Sequence, residues 1–153
     1  MPSTAQDVGA ALKTVRGVMP VTATGGGAGD GVDQKSAAID RQGFASAIWA
    51  VAASCVIASA QSVALTARLQ HSHTPTDSDF VNFGATESVT IADGADETAF
   101  IAGKANLAGA RRYIRLVINA DPTATGTATV AGFVALGGAD VLPSAGFSVF
   151  VSG

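Results

Sequence analysis

With 153 residues the chain is long enough to bury a real core, but has little length for a second domain. Apolar residues make up 48% of it and charged residues only 14%, against roughly 25% in an average soluble domain, so much of the surface is uncharged and suited to being covered by partners. The net charge is −3, and basic residues are scattered apart from Arg111, Arg112 and Arg115, which argues against a nucleic-acid partner because no broad basic stripe is present.

Residues 1–35 carry few large apolar side chains and include TGGGAGDGV, whose glycines between Gly25 and Gly31 rule out a regular element. A short helix over residues 8–18 fits the local pattern. The region reads as an extended, Gly-rich N-terminal arm that gains its structure by lying on something else. GGGAGDG lacks the Gly-Lys-Ser/Thr ending of a phosphate loop and follows no convincing strand, so a linker is the better reading. The opening MPSTAQDVGAALK has no basic start followed by a long apolar segment, and so does not read as a signal peptide.

From residue 36 the pattern changes to strands, and residues 36–153 are expected to form the folded domain. Strands are predicted over 36–40, 44–53 and 62–71, with a turn at 41–43, the second and third forming a hairpin. The uncharged stretch 42–67 is long enough to span a bilayer, at roughly 20 residues. Its alternation of Val63, Leu65, Ala67 and Leu69 against Ala64, Thr66, Arg68 and Gln70 argues instead for two buried strands and no membrane.

The polar run HSHTPTDSDF follows as an exposed loop. His71 and His73 have ligand spacing, with Asp77 and Asp79 downstream, but no further His or Cys is at hand except Cys55. The expectation is therefore no metal site and no cofactor. Cys55 lies in an apolar run with no base nearby, which is the setting of a buried small hydrophobe rather than a reactive thiol. Residues 80–83 and 88–91 read as short strands. ADGADETA reads as a hydrated acidic turn without the ligand spacing of a calcium loop, and 100–102 as one more strand.

Residues 111–138, RRYIRLVINADPTATGTATVAGFVALGG, read as two strands, 112–119 and 127–136, joined as a hairpin. Ile114, Leu116 and Ile118 alternate with Tyr113, Arg115 and Val117. Neither strand has a fully polar face, so the pair needs cover on both sides. Ile114, Leu116 and Val134 are expected in the core, with Tyr113, Arg115 and Phe133 on the opposite face. A last strand is predicted at 147–151, where Phe147 and Phe150 fall on alternate sides, and it is placed at a sheet edge. The fold class these signals define is all-β, an antiparallel β-sandwich or barrel-like domain carrying an N-terminal arm.

No catalytic constellation emerges: there is no G-x-S-x-G, both histidines lie together, and the acidic residues sit at turns, so the chain is not expected to be an enzyme. The ordered series IDRQGFASA (39–47), LQHS (69–72), DFV (79–81), RRYIRLVI (111–118), Thr125-Gly126 and ALGG (135–138) resembles a family of small virion proteins of tailed bacteriophages. That family is related to head decoration, or cement, proteins. The resemblance implies a β-sandwich bound to the outside of the capsid, often as a homotrimer, with the major capsid protein as partner and the virion surface as location. It also implies a structural role for Arg115 in the strand Tyr113-Ile114-Arg115-Leu116. Candidate subunit or capsid contacts are Arg111, Arg112, Tyr113, Arg115, Phe147 and Phe150. The alternatives are a tail or neck component of the virion and a carbohydrate- or host-binding sandwich module.

Overall fold

Val63, Leu65, Ala67 and Leu69, the alternating residues of one predicted strand, are almost wholly buried, and they lie beside Ile114, Leu116 and Ile118 of another on the same inner face. That period-two burial generates the whole architecture. A computed structural model describes residues 12–94 and 97–139. In chain order the strands are β1 (Leu12–Val15), β2 (Val21–Thr24), β3 (Gln34–Lys35), β4 (Ile39–Asp40), β5 (Phe44–Val56), β6 (Ser62–Ser72), β7 (Val81–Ala92), β8 (Thr98–Asn106), β9 (Tyr113–Pro122) and β10 (Thr127–Ala139). A 3-10 turn, Asp77–Asp79, precedes β7.

These strands make two antiparallel five-stranded sheets, packed face to face as the expected sandwich. The first runs β1-β10-β5-β8, with β2 also on β10; the second runs β3-β9-β6-β7, with β4 also on β9. Trp49, Val51 and Cys55 of β5 and Val130, Val134 and Leu136 of β10 point inward to meet the inner residues of β6 and β9. Cys55 is a buried member of this core, as its apolar setting implied, and burial, with Glu97 nearby, pushes its thiol pKa up.

Both expected hairpins are corrected. β5 and β6 lie in different sheets, and so do β9 and β10; their connections are arches that carry the chain across the sandwich. Each arch contains a non-glycine residue in the left-handed region, Ala60 (φ 62°) and Ala124 (φ 49°). The two arches are tied together where the Thr123 N–H donates to the Ser62 carbonyl at 2.9 Å and the Ser62 N–H donates to Thr123 Oγ1 at 2.9 Å. The physical reason is cover. β9 buries five consecutive residues, 114–118, so it needs a strand on each side and material on both faces, which one hairpin partner cannot supply.

The described part of the expected arm is extended and lies on the rest of the chain, but the short helix expected over residues 8–18 is corrected where it is described. Residues 12–15 form a strand rather than a helix, and β1 and β2 lie in two pieces along β10 of the same chain. β3 and β4 do the same along β9. The glycine-rich turn 25–31 carries the chain between the sheets, with the Gly25 N–H bonded to the Gly126 carbonyl at 2.8 Å and the Gly31 N–H to the Ala120 carbonyl at 3.0 Å. Residues 12–40 thus close one side of the sandwich.

The strands expected at 80–83 and 88–91 are one strand, β7, interrupted by a bulge. Arg68 pairs with Thr86 and Leu69 with Phe83, leaving Gly84 (φ 78°) and Ala85 extra. Glu97, expected in a hydrated turn, instead accepts the Ile57 N–H at 2.9 Å through Oε2 and the Cys55 N–H at 2.7 Å through its carbonyl. The strand expected at 147–151 lies outside the described residues.

Candidate functional site

The two outer faces of the sandwich differ in chemistry. On the second sheet, alternation turns Arg68 and Gln70 of β6, Arg115, Val117 and Asn119 of β9 and Lys35 of β3 outward. Arg115 is only 5% exposed although it faces away from the core. The loop 73–80 covers it: its guanidinium pairs with the Asp77 carboxylate, its Nε donates to Gln70 Oε1 at 2.8 Å, and its carbon sits 4.1 Å from the centre of the Phe80 ring. Lys35 Nζ reaches the other Asp77 oxygen at 3.0 Å. Hydrogen bonds from Lys35 and then Arg115 hold the Asp77 carboxyl below its ordinary pKa.

The rest of this face is equally self-satisfied. Arg68 pairs with Asp33 and donates through Nε to Asn82 Oδ1 at 3.1 Å, and Asn119 Nδ2 donates to the Gly31 carbonyl at 2.7 Å and to Asp33 Oδ1 at 3.0 Å. Val117, with no polar group to offer, is fully buried beneath these side chains.

The cluster 111–113 lies at one end of the same sheet. Arg112 is exposed and makes two bonds to Asp40 Oδ2, at 2.8 and 3.1 Å, which lowers the Asp40 pKa, and it lies over the Tyr113 ring at 5.2 Å. Arg111 donates its N–H to His71 Nδ1 at 3.2 Å, and its carbonyl accepts Arg41 Nε at 3.1 Å. His71 stacks 4.8 Å from Phe83, and burial, then Arg111 and His73, lower its pKa. Among the described residues no three His, Cys, Asp or Glu side chains come together as a metal site. Of the six contact residues expected from sequence, the structure therefore brings Arg115 into an internal network. It leaves Arg112 on the surface with Asp40, and half-buries Arg111 and Tyr113. Phe147 and Phe150 lie outside the described residues.

The first sheet turns a different face outward. Cross-strand register sets Ala50 between Phe133 and Ala102, Ala52 between Ala131 and Phe100, and Ile48 between Ala135 and Lys104. Phe100 is 70% exposed, Phe133 49% and Ile48 46%. They border a shallow depression of about 500 Å³ floored by Ala50 and Ala102. Lys104 is the one charged side chain that β5, β8 and β10 turn to this side. Small side chains in the middle strand and phenylalanines on its two neighbours leave a nearly flat, dehydratable surface. That neither strand of 111–138 has a polar face is legible in the sequence. The patch itself is not, because assigning a face to Phe100 and Ile48 requires knowing that β8 and β10 flank β5.

No protein-family model matches the chain, and no curated protein matches it. Solved structures similar to it include infectious bursal disease virus, Gx strain, at 14% identity and a TM-score of 0.47, with 82% of this chain and 32% of that one covered. A second is the enzymatically active domain of tailspike protein 4 of bacteriophage CBA120, at 11% identity and 0.38, covering 80% and 18%. A third is Desmodium yellow mottle tymovirus, at 9% and 0.36, covering 88% and 91%. The chain spans about a third of the length of the first of these. Sandwiches of unrelated activity share likeness at this level.

Proposed function

We propose that this protein is a structural, non-enzymatic component of a bacteriophage virion, a decoration or cement protein that binds the major capsid protein on the outside of the head as a homotrimer. The observation that carries the reading is the contrast between its two outer faces. The second sheet satisfies its charges internally, while the first presents Phe100, Phe133 and Ile48 around small residues with a single cation. A face of that kind is stable in water only at modest size and gains free energy when covered. Repetition over a capsid lattice makes weak individual contacts collectively strong. The ordered motifs of residues 39–138, which resemble the decoration family, point the same way.

The test is to mix purified protein with phage heads that lack it. Saturable binding and a higher temperature of head disruption are expected, and both should weaken in Phe100→Ser and Phe133→Ser. Absence of binding to any head preparation, or binding indifferent to both substitutions, would overturn the reading.

A further inference from the structure

Among the described residues β8 pairs on one side only, with β5, so the first sheet ends there in an open edge. Just beyond the two ends of β8, the Cys55 N–H donates to the Glu97 carbonyl at 2.7 Å and the Leu107 N–H to the Ala45 carbonyl at 2.8 Å, on the same register as Trp49 with Gly103. Antiparallel ladders alternate bonded and unbonded pairs, so the odd-numbered residues of β8 direct their backbone groups to β5. The N–H and carbonyl groups of Thr98, Phe100, Ala102, Lys104 and Asn106 point the other way. β7, the edge of the second sheet on the same side, is protected by its bulge at Gly84 and by Glu87. β8 has no bulge, no proline and one charge, Lys104.

We propose that β8 pairs antiparallel with β8 of a second copy of this chain about a two-fold axis at Ala102, so that one sheet runs through both copies. Register selects this arrangement. Ala102 is the midpoint of Thr98–Asn106, and only a two-fold there sets the strand against its partner over its whole length, each outward N–H meeting an outward carbonyl. On the outer face it places Phe100, an exposed ring, across from the partner's Lys104, and Thr98 across from the partner's Asn106. On the inner side Ile101 falls across from the partner's Gly103, a large side chain against none. A two-fold at Lys104 would oppose two like charges, and one at Phe100 would leave Lys104 and Asn106 beyond the end of the partner's strand.

The contact uses the edge of the sheet and leaves Ile48 and Phe133 uncovered, so the inference goes beyond the capsid-binding reading and does not rest on it. Where the chain is a homotrimer, the same contact joins one subunit of each of two trimers.

Two measurements on the full chain, without phage heads, test it. Ala102→Cys, oxidised with diamide, is expected to give a disulfide between two chains, because bonded antiparallel pairs hold their Cα atoms about 5.5 Å apart, within bridging range. Phe100→Cys and Lys104→Cys are each expected to give little alone and a mixed disulfide when combined. Cys55 is buried and stays out of the reaction. In sedimentation at rising concentration the unsubstituted chain is expected to self-associate. Phe100→Lys should weaken that association about tenfold by setting ammonium groups against each other, and Phe100→Lys with Lys104→Glu should restore it by making the opposed charges unlike. Phe100 and Lys104 are both exposed, so these changes leave the core intact. The proposal is overturned if Ala102→Cys gives no disulfide between chains, if the chain does not self-associate, or if its association is indifferent to Phe100→Lys. Each of those results leaves head binding to be decided by its own experiment.

Discussion

The guanidinium carbon of Arg115 stands 4.1 Å from the centre of the Phe80 ring, and this contact fastens the polar loop 73–80 onto the outer face of the second sheet. It works with the Asp77 pair and the bond to Gln70, so one side chain ties β9, β6 and the loop together. Arg115→Met keeps most of the volume but removes the charge; Asp77 keeps Lys35 and stays in solvent, so no buried charge is stranded. The expected loss is about 2 kcal/mol, from a charged hydrogen-bond set and a cation–π contact. Arg115→Lys should recover part of it, because an ammonium lacks the planar fork. Urea unfolding midpoints with unchanged slope, and faster proteolysis within 73–79, are the readouts.

Acid should destabilise the fold in two steps. His71 has its pKa lowered, by burial first and then by Arg111 and His73, so the unfolded chain takes up the proton before the folded one does. Its contribution is complete above the ordinary value of 6.5 and is lost as pH falls from there through the depressed value. Asp77 and Asp40, both lowered from 3.8 by Lys35 and Arg115 and by Arg112 respectively, act in the same direction at lower pH. Their contribution is complete above 3.8 and is lost below it. His71→Asn, which keeps an acceptor for the Arg111 N–H, should remove the upper step alone, and Asp77→Asn should flatten the lower one. Unfolding free energies measured from pH 8 down to about 3 decide this; the prediction fails if the upper step survives in His71→Asn.

Glycines should rank by what surrounds them. At Gly132 a Cβ would come 2.7 Å from Leu116 Cδ2 and 2.9 Å from Ile118 Cδ1, both belonging to fully buried side chains, so Gly132→Ala should cost about 1–3 kcal/mol through overpacking. Gly103→Ala meets the Trp49 ring and should cost a similar amount. Gly84, in the bulge of β7, has open space but a φ of +78°, so Gly84→Ala should cost only the backbone penalty of about 1 kcal/mol. Thermal unfolding of the three variants should preserve that order.

What the sequence reveals is set by which interactions are local. Alternation at Val63, Leu65, Ala67 and Leu69, or at Ile114, Leu116 and Ile118, is a property of the chain itself, and the strands, the sandwich class and the core positions Ile114, Leu116 and Val134 follow from it. Sheet membership is not local. A four-residue connection such as 123–126 serves a hairpin or an arch equally well, and the alanines that adopt left-handed backbone in the arches, Ala60 and Ala124, carry no sequence mark of it. β1 and β2 are only four residues each, and gain their structure from β10, the template beside them, which no reading of residues 12–24 alone can supply. The internal network of Arg115 is not legible locally, because its partner Asp77 lies in a loop whose residues all look hydrated.

The outer face of the first sheet should separate monomer stability from assembly. Phe100 is 70% exposed, so little apolar area is freed when it is shortened, and Phe100→Ser should change the stability of the isolated chain by no more than about 0.5 kcal/mol. Phe133, half-exposed and lying against Ala50, should cost about 1 kcal/mol on the same change. In the proposed complex with the capsid both rings would be covered, and each substitution should weaken binding to phage heads about tenfold or more, because aromatic anchors at the centre of a contact carry much of its free energy. Lys104→Glu tests the rim of the same face: it alters charge without removing apolar area, so it should change the salt dependence of binding more than its strength at high salt. Sedimentation of heads with bound protein, at several salt concentrations and beside unfolding curves for each variant, gives both quantities. Phe100→Ser and Phe133→Ser chains that fold normally and still saturate the heads at wild-type concentration would remove this face from the contact.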